Sequence, residues 1–296
     1  MKAPLLKKGD VIGIISPCTT PNEEIKKSFS VIEKKGFKIK LSKNFFKSTY
    51  GYAATERERA DDFNDMVSDK KVKMIFFSGG TVCNEVLPFI DFDNIKHNPK
   101  IICSFSDGTT LTNAVFSRTG LITYYGQGPN TFINLTDYNN AHFNANFISG
   151  DNKEFRKASE WKTLYGGVSE GILVGGYIQN FALLLGSKYF SYNPKKKYIL
   201  FIEDHEKYSW PARVSMLLAH IEQSEFMKNV SGFIFGHYSA NENFEMDSIL
   251  KRFSERNSIP MIKCDDFGHG KNQAIFPTGS HVNLDADNKQ LYIYMT

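Results

Sequence analysis

Three reactive side chains in this sequence each follow an apolar run. Ser106 follows Ile101-Ile102-Cys103-Ser104-Phe105, Glu203 follows Tyr198-Ile199-Leu200-Phe201-Ile202, and His269 lies a few residues beyond Pro260-Met261-Ile262-Lys263-Cys264. A serine hydroxyl is a weak nucleophile until a base removes its proton. Histidine titrates near neutrality and can be that base, while a carboxylate fixes the imidazole tautomer and stabilises its charged form. The chain order serine, acid, histidine is the order α/β-hydrolases use. Plainer roles stay open for each residue. Ser106 and Asp107 can cap the helix that follows them, Glu203 can cap the segment after it, and His269, between Gly268 and Gly270, can be a loop histidine satisfied by backbone.

The segment Ser104-Phe105-Ser106-Asp107-Gly108 has the form of a G-x-S-x-G nucleophile elbow with its first glycine replaced. A strand that turns at once into a helix leaves the N–H groups of the first helical turn unpaired. The N–H of Asp107, next to the serine, is then placed to hold an oxyanion. Ser78-Gly79-Gly80, after the run Lys73–Phe77, is a second turn whose backbone N–H groups can face a developing negative charge.

Elements with readable periodicity must position these groups. Strands are expected at 9–17, 37–41, 73–77 and 100–105, with helical spacing between them at 21–35, 55–67 and 83–90 and after Asp107. This alternation over 9–125 predicts a parallel sheet covered on both faces. Ligands of such sheets bind beyond the carboxyl ends of the strands, which is where Ser106 falls. The polar, weakly periodic stretch 126–165 reads as a linker and lid-like region. Residues 166–296 form a second α/β unit, with strands at 198–202, 230–236 and 260–264, helices at 179–185, 210–222 and 244–256, and a closing hairpin over 279–294. The pair Gly175-Gly176 reads as preceding a helix with no long strand before it.

Composition narrows the function classes. The chain has 296 residues, 41% of them hydrophobic, and a net charge of +4, too mild to call for nucleic acid or an anionic membrane. No run of 18 apolar residues and no apolar N-terminal leader is present, so no membrane span or signal peptide is expected. Cys18, Cys83, Cys103 and Cys264 are far apart and form no C-x-x-C pair. Neither a zinc site nor a disulfide framework is expected, in keeping with a reduced, cytoplasmic protein. The sequence has no P-loop, no His-Glu-x-x-His and no Gly-x-Gly-x-x-Gly.

Taken in order, Gly9-Asp10-Val11-Ile12, Ser16-Pro17, Arg59-Ala60, Ser78-Gly79-Gly80, Ser106-Asp107-x-Thr109-x-Leu111, Gly175-Gly176, Leu200-Phe201-Ile202-Glu203-Asp204 and Gly268-His269-Gly270 resemble the LD-carboxypeptidase family of serine peptidases, which also holds the microcin-immunity peptidases. The resemblance covers about residues 5–294. It implies a flavodoxin-like or Rossmann-like parallel-sheet domain (1–125) carrying the nucleophile and a smaller β-rich α/β domain (166–296) carrying the acid and base. The implied site is Ser106 as nucleophile, His269 as base and Glu203 as the orienting carboxylate, with Gly80 and Asp107 supplying oxyanion N–H groups and with no metal or cofactor. The implied substrate is a murein tetrapeptide cleaved before its terminal D-amino acid. An alternative is a peptidyl- or aminoacyl-nucleotide antibiotic, and a second alternative is ligand binding without catalysis. A homodimer is also implied. Two departures stand out: Ser104 replaces a family glycine, and Gly108 replaces an apolar residue.

Overall fold

The computed structural model describes residues 1–77 and 79–294; Ser78 lies outside the described residues. The first half of the chain contributes β1 (Val11–Ile15), α1 (Lys26–Lys34), β2 (Lys38–Leu41), α2 (Glu56–Ser68), β3 (Val72–Phe77), α3 (Phe92–His97), β4 (Ile101–Ser104), α4 (Thr109–Thr119) and β5 (Thr123–Tyr125). The second half contributes α5 (Asp137–Asn144), β6 (Lys162–Tyr165), β7 (Val168–Tyr177), α6 (Ile178–Leu184), β8 (Tyr198–Glu203), α7 (Pro211–Glu222), β9 (Val230–Phe235), α8 (Phe244–Asn257), β10 (Met261–Lys263), β11 (Phe276–Thr278), β12 (His281–Asp285) and β13 (Gln290–Tyr294).

The first sheet has the order β11-β5-β4-β3-β1-β2. Its strands β1 to β5 are parallel, as the alternation of strands and helices predicts, and β11 joins β5 antiparallel. The central strands β3 and β4 are buried almost throughout, which suits their unbroken apolar runs. The helices between them start on local signals. Thr55, for example, caps α2 by accepting the Glu58 N–H at 3.3 Å, while Glu58 accepts the Thr55 N–H at 3.2 Å.

The second sheet has the order β13-β12-β7-β8-β9-β10-β6. Strands β7 to β10 run parallel, and the β12–β13 hairpin and β6 close the two sides antiparallel. Here the structure corrects one expectation: the glycine-rich segment before α6 is the ten-residue strand β7, in the middle of the sheet. Glycines hide a strand in sequence because they carry no side chain to alternate. In β7 they serve close approach: a Cβ on Gly171 would meet the Lys197 backbone at 2.8 Å, and one on Gly175 would meet the Phe201 carbonyl oxygen at 1.9 Å. Residues 126–165 carry α5 and, at their end, the edge strand β6, besides several residues that line the central cleft. Among the described residues no helix is long and apolar enough to cross a membrane.

The two sheets share their packing. One apolar cluster runs from Ile12, Phe63 and Ile75 through Leu111 and Val115 to Val174, Leu200 and Phe233; a second gathers Tyr125 and Phe276 of the first sheet with Leu173, Phe201 and Phe267 of the second half. Polar stitches fix the register. Asn113, buried on α4, donates to the Gly175 carbonyl at 2.8 Å and accepts the Gly175 N–H at 3.1 Å. Thr109 accepts the Tyr177 N–H at 2.8 Å and donates to the Ser106 carbonyl at 2.7 Å. A Cβ on Gly176 would lie 2.3 Å from the Thr109 hydroxyl, so the glycine pair is what lets α4 dock on β7. Asn113→Leu leaves both polar groups of Gly175 buried and unpaired, and should lower stability by about 2–4 kcal/mol in urea unfolding. An unchanged midpoint would show that this stitch does not hold the sheets together.

Candidate active site

Ser106 follows the end of β4, and its backbone is in the left-handed region at φ +56°, unusual for a residue with a side chain. That conformation costs about 1–2 kcal/mol. Two hydrogen bonds hold it: the Ser106 N–H donates to the Tyr125 hydroxyl at 3.2 Å, and the Ser106 carbonyl accepts from Thr109. The turn lifts the side chain out of the sheet's edge, as an elbow does. Gly79 packs directly beneath it, since a Cβ there would lie 2.5 Å from the Ser106 Cβ and 3.0 Å from the Asp107 nitrogen. Gly80, at φ +156°, has no room for a side chain beside Thr19, and it lines the same cleft as Ser106. Arg59, which is 1% exposed, secures the flanks of this turn by donating to the Pro17 carbonyl at 2.8 Å and the Val82 carbonyl at 3.2 Å.

The three residues singled out by type and spacing meet. His269 Nε2 lies 2.9 Å from Ser106 Oγ, and His269 Nδ1 lies 2.8 Å from Glu203 Oε2. A carboxylate can only accept, so it places the imidazole proton on Nδ1 and leaves the Nε2 lone pair facing the serine hydroxyl. Glu203 ends β8 with no exposure. Its oxygens are filled by His269 Nδ1, by the His269 backbone N–H at 3.3 Å, and by the Tyr125 hydroxyl at 2.5 Å. Gly268, at φ +107°, lets the loop pass this carboxylate, because a Cβ would fall 2.9 Å from Oε2. Asp266 anchors the same loop by accepting from the Trp161 indole at 2.7 Å and from the N–H groups of Ala158 and Ser159.

Burial pushes the His269 pKa down, but the charge and hydrogen bond of Glu203, with the charge of Asp204, outweigh it and leave the imidazole above its ordinary value of 6.5. Asp204 itself does not touch His269. Its Oδ1 accepts the His205 N–H at 2.7 Å, and burial pushes its pKa up to about 7. The Asp107 carboxyl group accepts the Cys83 N–H at 3.0 Å, and burial raises its pKa as well. The rings of Phe105, Tyr177 and Tyr208 surround His269 at 4.6, 5.2 and 5.2 Å. The cleft above Ser106 has a volume of about 980 Å³ and is lined by the cations Lys207, Arg213 and Lys271, the carboxyl group of Asp107, aromatic rings, and amides and hydroxyls. Among the described residues no three His, Cys, Asp or Glu side chains gather to hold a metal ion.

Tyr125 and Asp266 were invisible as site residues in the sequence. Tyr125 ends a three-residue strand too short to show periodicity, and Asp266 differs from its neighbour Asp265 only in what it meets in space. The two departures at the elbow explain each other. Ser104 is fully buried, and a Cβ on Gly108 would lie 1.7 Å from the Ser104 hydroxyl and 2.5 Å from its Cβ. The serine side chain therefore fills the space left by the missing side chain at 108. Gly108→Ala should cost about 1–3 kcal/mol through overpacking, and Ser104→Gly in the same chain should restore most of it. Equal melting temperatures for Gly108→Ala and the double variant would break this pairing.

Both halves of the chain resemble known proteins. Residues 12–126 match the LD-carboxypeptidase N-terminal domain, and residues 170–284 match the LD-carboxypeptidase C-terminal domain. The chain is 28% identical to the microcin C7 self-immunity protein MccF of Escherichia coli, over 97% of this chain and 94% of that protein. It is 26% identical to a probable murein peptide carboxypeptidase of Bacillus subtilis, over 99% and 94%. The fold superposes on the crystal structure of an MccF-like protein from Bacillus anthracis with a TM-score of 0.88, covering 100% of both chains at 24% identity. With both halves matched in order and relatives aligned over nearly their full length, this chain belongs to the LD-carboxypeptidase family of peptidases.

Proposed function

We propose that the chain is a serine-type carboxypeptidase that removes the terminal D-amino acid from a murein tetrapeptide. The observation that carries this reading is the unbroken hydrogen-bonded line from Ser106 Oγ through the His269 ring to Glu203. Ser106 Oγ attacks the scissile carbonyl carbon as its proton passes to His269 Nε2. Glu203 stabilises the imidazolium that forms. The N–H groups of Asp107 and Gly80 receive the oxyanion, each such donor contributing on the order of 3 kcal/mol. Collapse breaks the C–N bond, the leaving amine takes the proton from His269, and an ester to Ser106 remains. His269 then takes a proton from a water that attacks the ester carbonyl; the bond to Ser106 Oγ breaks, Oγ recovers the proton from His269, and the product acid leaves.

The cleft supports a substrate with a free carboxylate. Lys207, Arg213 and Lys271 line it, and the Asp107 carboxylate is turned to a backbone N–H. A terminal D-amino acid has such a group. A second reading is hydrolysis of an aminoacyl- or peptidyl-nucleotide. It is favoured by the aromatic faces of Tyr177 and Tyr208 beside the triad, which can stack a base, and by the Escherichia coli relative named for microcin C7 self-immunity. The family resemblance also implies a homodimer, and the four dispersed cysteines fit a reduced, cytoplasmic setting; we adopt both.

A mass-spectrometric screen with murein tetrapeptide and an aminoacyl sulfamoyl-adenylate decides the substrate. Release of D-alanine is expected; turnover of the sulfamoyl-adenylate alone would select the second reading, and binding without turnover of either would favour a non-catalytic protein. Ser106→Ala should lower turnover by about 10⁴-fold or more with the fold intact, and undiminished turnover would remove Ser106 from the mechanism. Because the base must be neutral and its pKa is raised, activity should fall as pH drops, with a midpoint above 6.5. A profile flat from pH 5 to 8 would contradict a histidine base.

A further inference from the structure

We propose that Tyr125 is a positioning residue of this site: its hydroxyl ties the Ser106 backbone to the Glu203 carboxylate and sets how strongly that carboxylate holds His269. The proposal rests on the triad reading above. The Tyr125 hydroxyl donates to Glu203 Oε1 at 2.5 Å and accepts the Ser106 N–H at 3.2 Å. One oxygen atom thus joins the elbow of the first sheet to the acid at the end of a second-sheet strand.

The phenol is held from all sides. Tyr125 has no exposure, its backbone pairs with Ser104 of β4 and Phe276 of β11, and its ring packs against Phe105 and Phe201 at 5.9 and 5.7 Å. Burial, then the charge of Glu203, keep it protonated well above the ordinary phenol range, so it remains a donor wherever the enzyme works. The two carboxylate oxygens are divided: Oε2 serves His269 and Oε1 serves Tyr125.

This division has a consequence for the base. A donor on Oε1 draws charge from the carboxylate and weakens its hold on the imidazolium, which keeps His269 neutral to lower pH than Glu203 alone would. It also stops the carboxylate rotating about its own axis, which fixes the imidazole against Ser106 Oγ. Other groups face His269: Asp204 beside Glu203, His205 and Tyr208 from the following loop, Tyr177 from the end of β7, Ser106 from the elbow, and Lys207 and Lys271 across the cleft. Two groups at His269 are bonded to the Tyr125 hydroxyl: the Glu203 carboxylate, and Ser106 through its backbone N–H. Glu203 is bonded in turn to His269 Nδ1, so a change at Tyr125 reaches the charge of the imidazole through Glu203, while at Ser106 it touches the backbone of the elbow.

The test uses the full chain and a fluorophosphonate. In this labelling the Ser106 oxygen bonds phosphorus, the phosphorus–fluorine bond breaks, fluoride leaves and the serine proton passes to His269. Labelling rates, read by peptide mass mapping from pH 5 to 9, are compared for wild type, Tyr125→Phe, Glu203→Gln and the double variant, with Ser106→Ala as the blank. Tyr125→Phe should label about 10- to 100-fold more slowly at its plateau, with its acid limb moved to higher pH, and the double variant should behave as Glu203→Gln does. A Tyr125→Phe profile matching wild type overturns the proposal, as does a defect that simply adds to that of Glu203→Gln. A wild-type protein unlabelled at Ser106 overturns the triad reading, and the proposal with it. If Tyr125→Phe does not fold, proton NMR of tyrosine-labelled wild type decides: a slowly exchanging Tyr125 hydroxyl proton that shifts in Glu203→Gln supports the proposal, and its absence overturns it.

Discussion

A carboxylate with no access to water needs a donor for each oxygen, and Glu203 finds its donors only where the two sheets meet. The His269 ring and backbone N–H reach it from the loop after β10, and Tyr125 reaches it from β5 of the first sheet. Pulling the sheets apart would strand this charge in an apolar interior. The same contact that would orient a catalytic histidine is therefore part of what fixes the two halves of the molecule against each other.

Close approach makes this junction possible, and glycine makes close approach possible. Gly268 lets its loop pass Glu203, Gly176 lets Thr109 dock on β7, and Gly79 lies under the Ser106 turn. Each position would have a Cβ inside its neighbour's contact distance. The Ser104–Gly108 pair follows the same rule, with the Ser104 side chain occupying the space that a Cβ at 108 would need.

Much of this was legible in the residues. The apolar runs marked β3, β4, β8 and β9, and the helical spacings marked α2, α7 and α8, because burial on one face or both imposes those periods. Ser106, Glu203 and His269 could be singled out because reactive groups at strand ends are placed at a sheet's open edge. What escaped depended on distant partners. The strand β7 was masked by the glycines that let it pack, and β5 and β11 are three residues each, defined by pairing of β5 with β4 and of β11 with β5. The role of Tyr125 appears only when β5 is set beside β4 and opposite β8, since its two partners lie 19 and 78 residues away.

The central claim is that Ser106 becomes covalently acylated during turnover. Rapid acid quenching of the reaction with murein tetrapeptide, followed by peptide mapping, tests it directly. The account predicts an ester of the truncated peptide on the fragment carrying Ser106, rising in the first turnover and lost when the substrate is exhausted. Steady release of D-alanine with no adduct on that fragment at any quench time would contradict it.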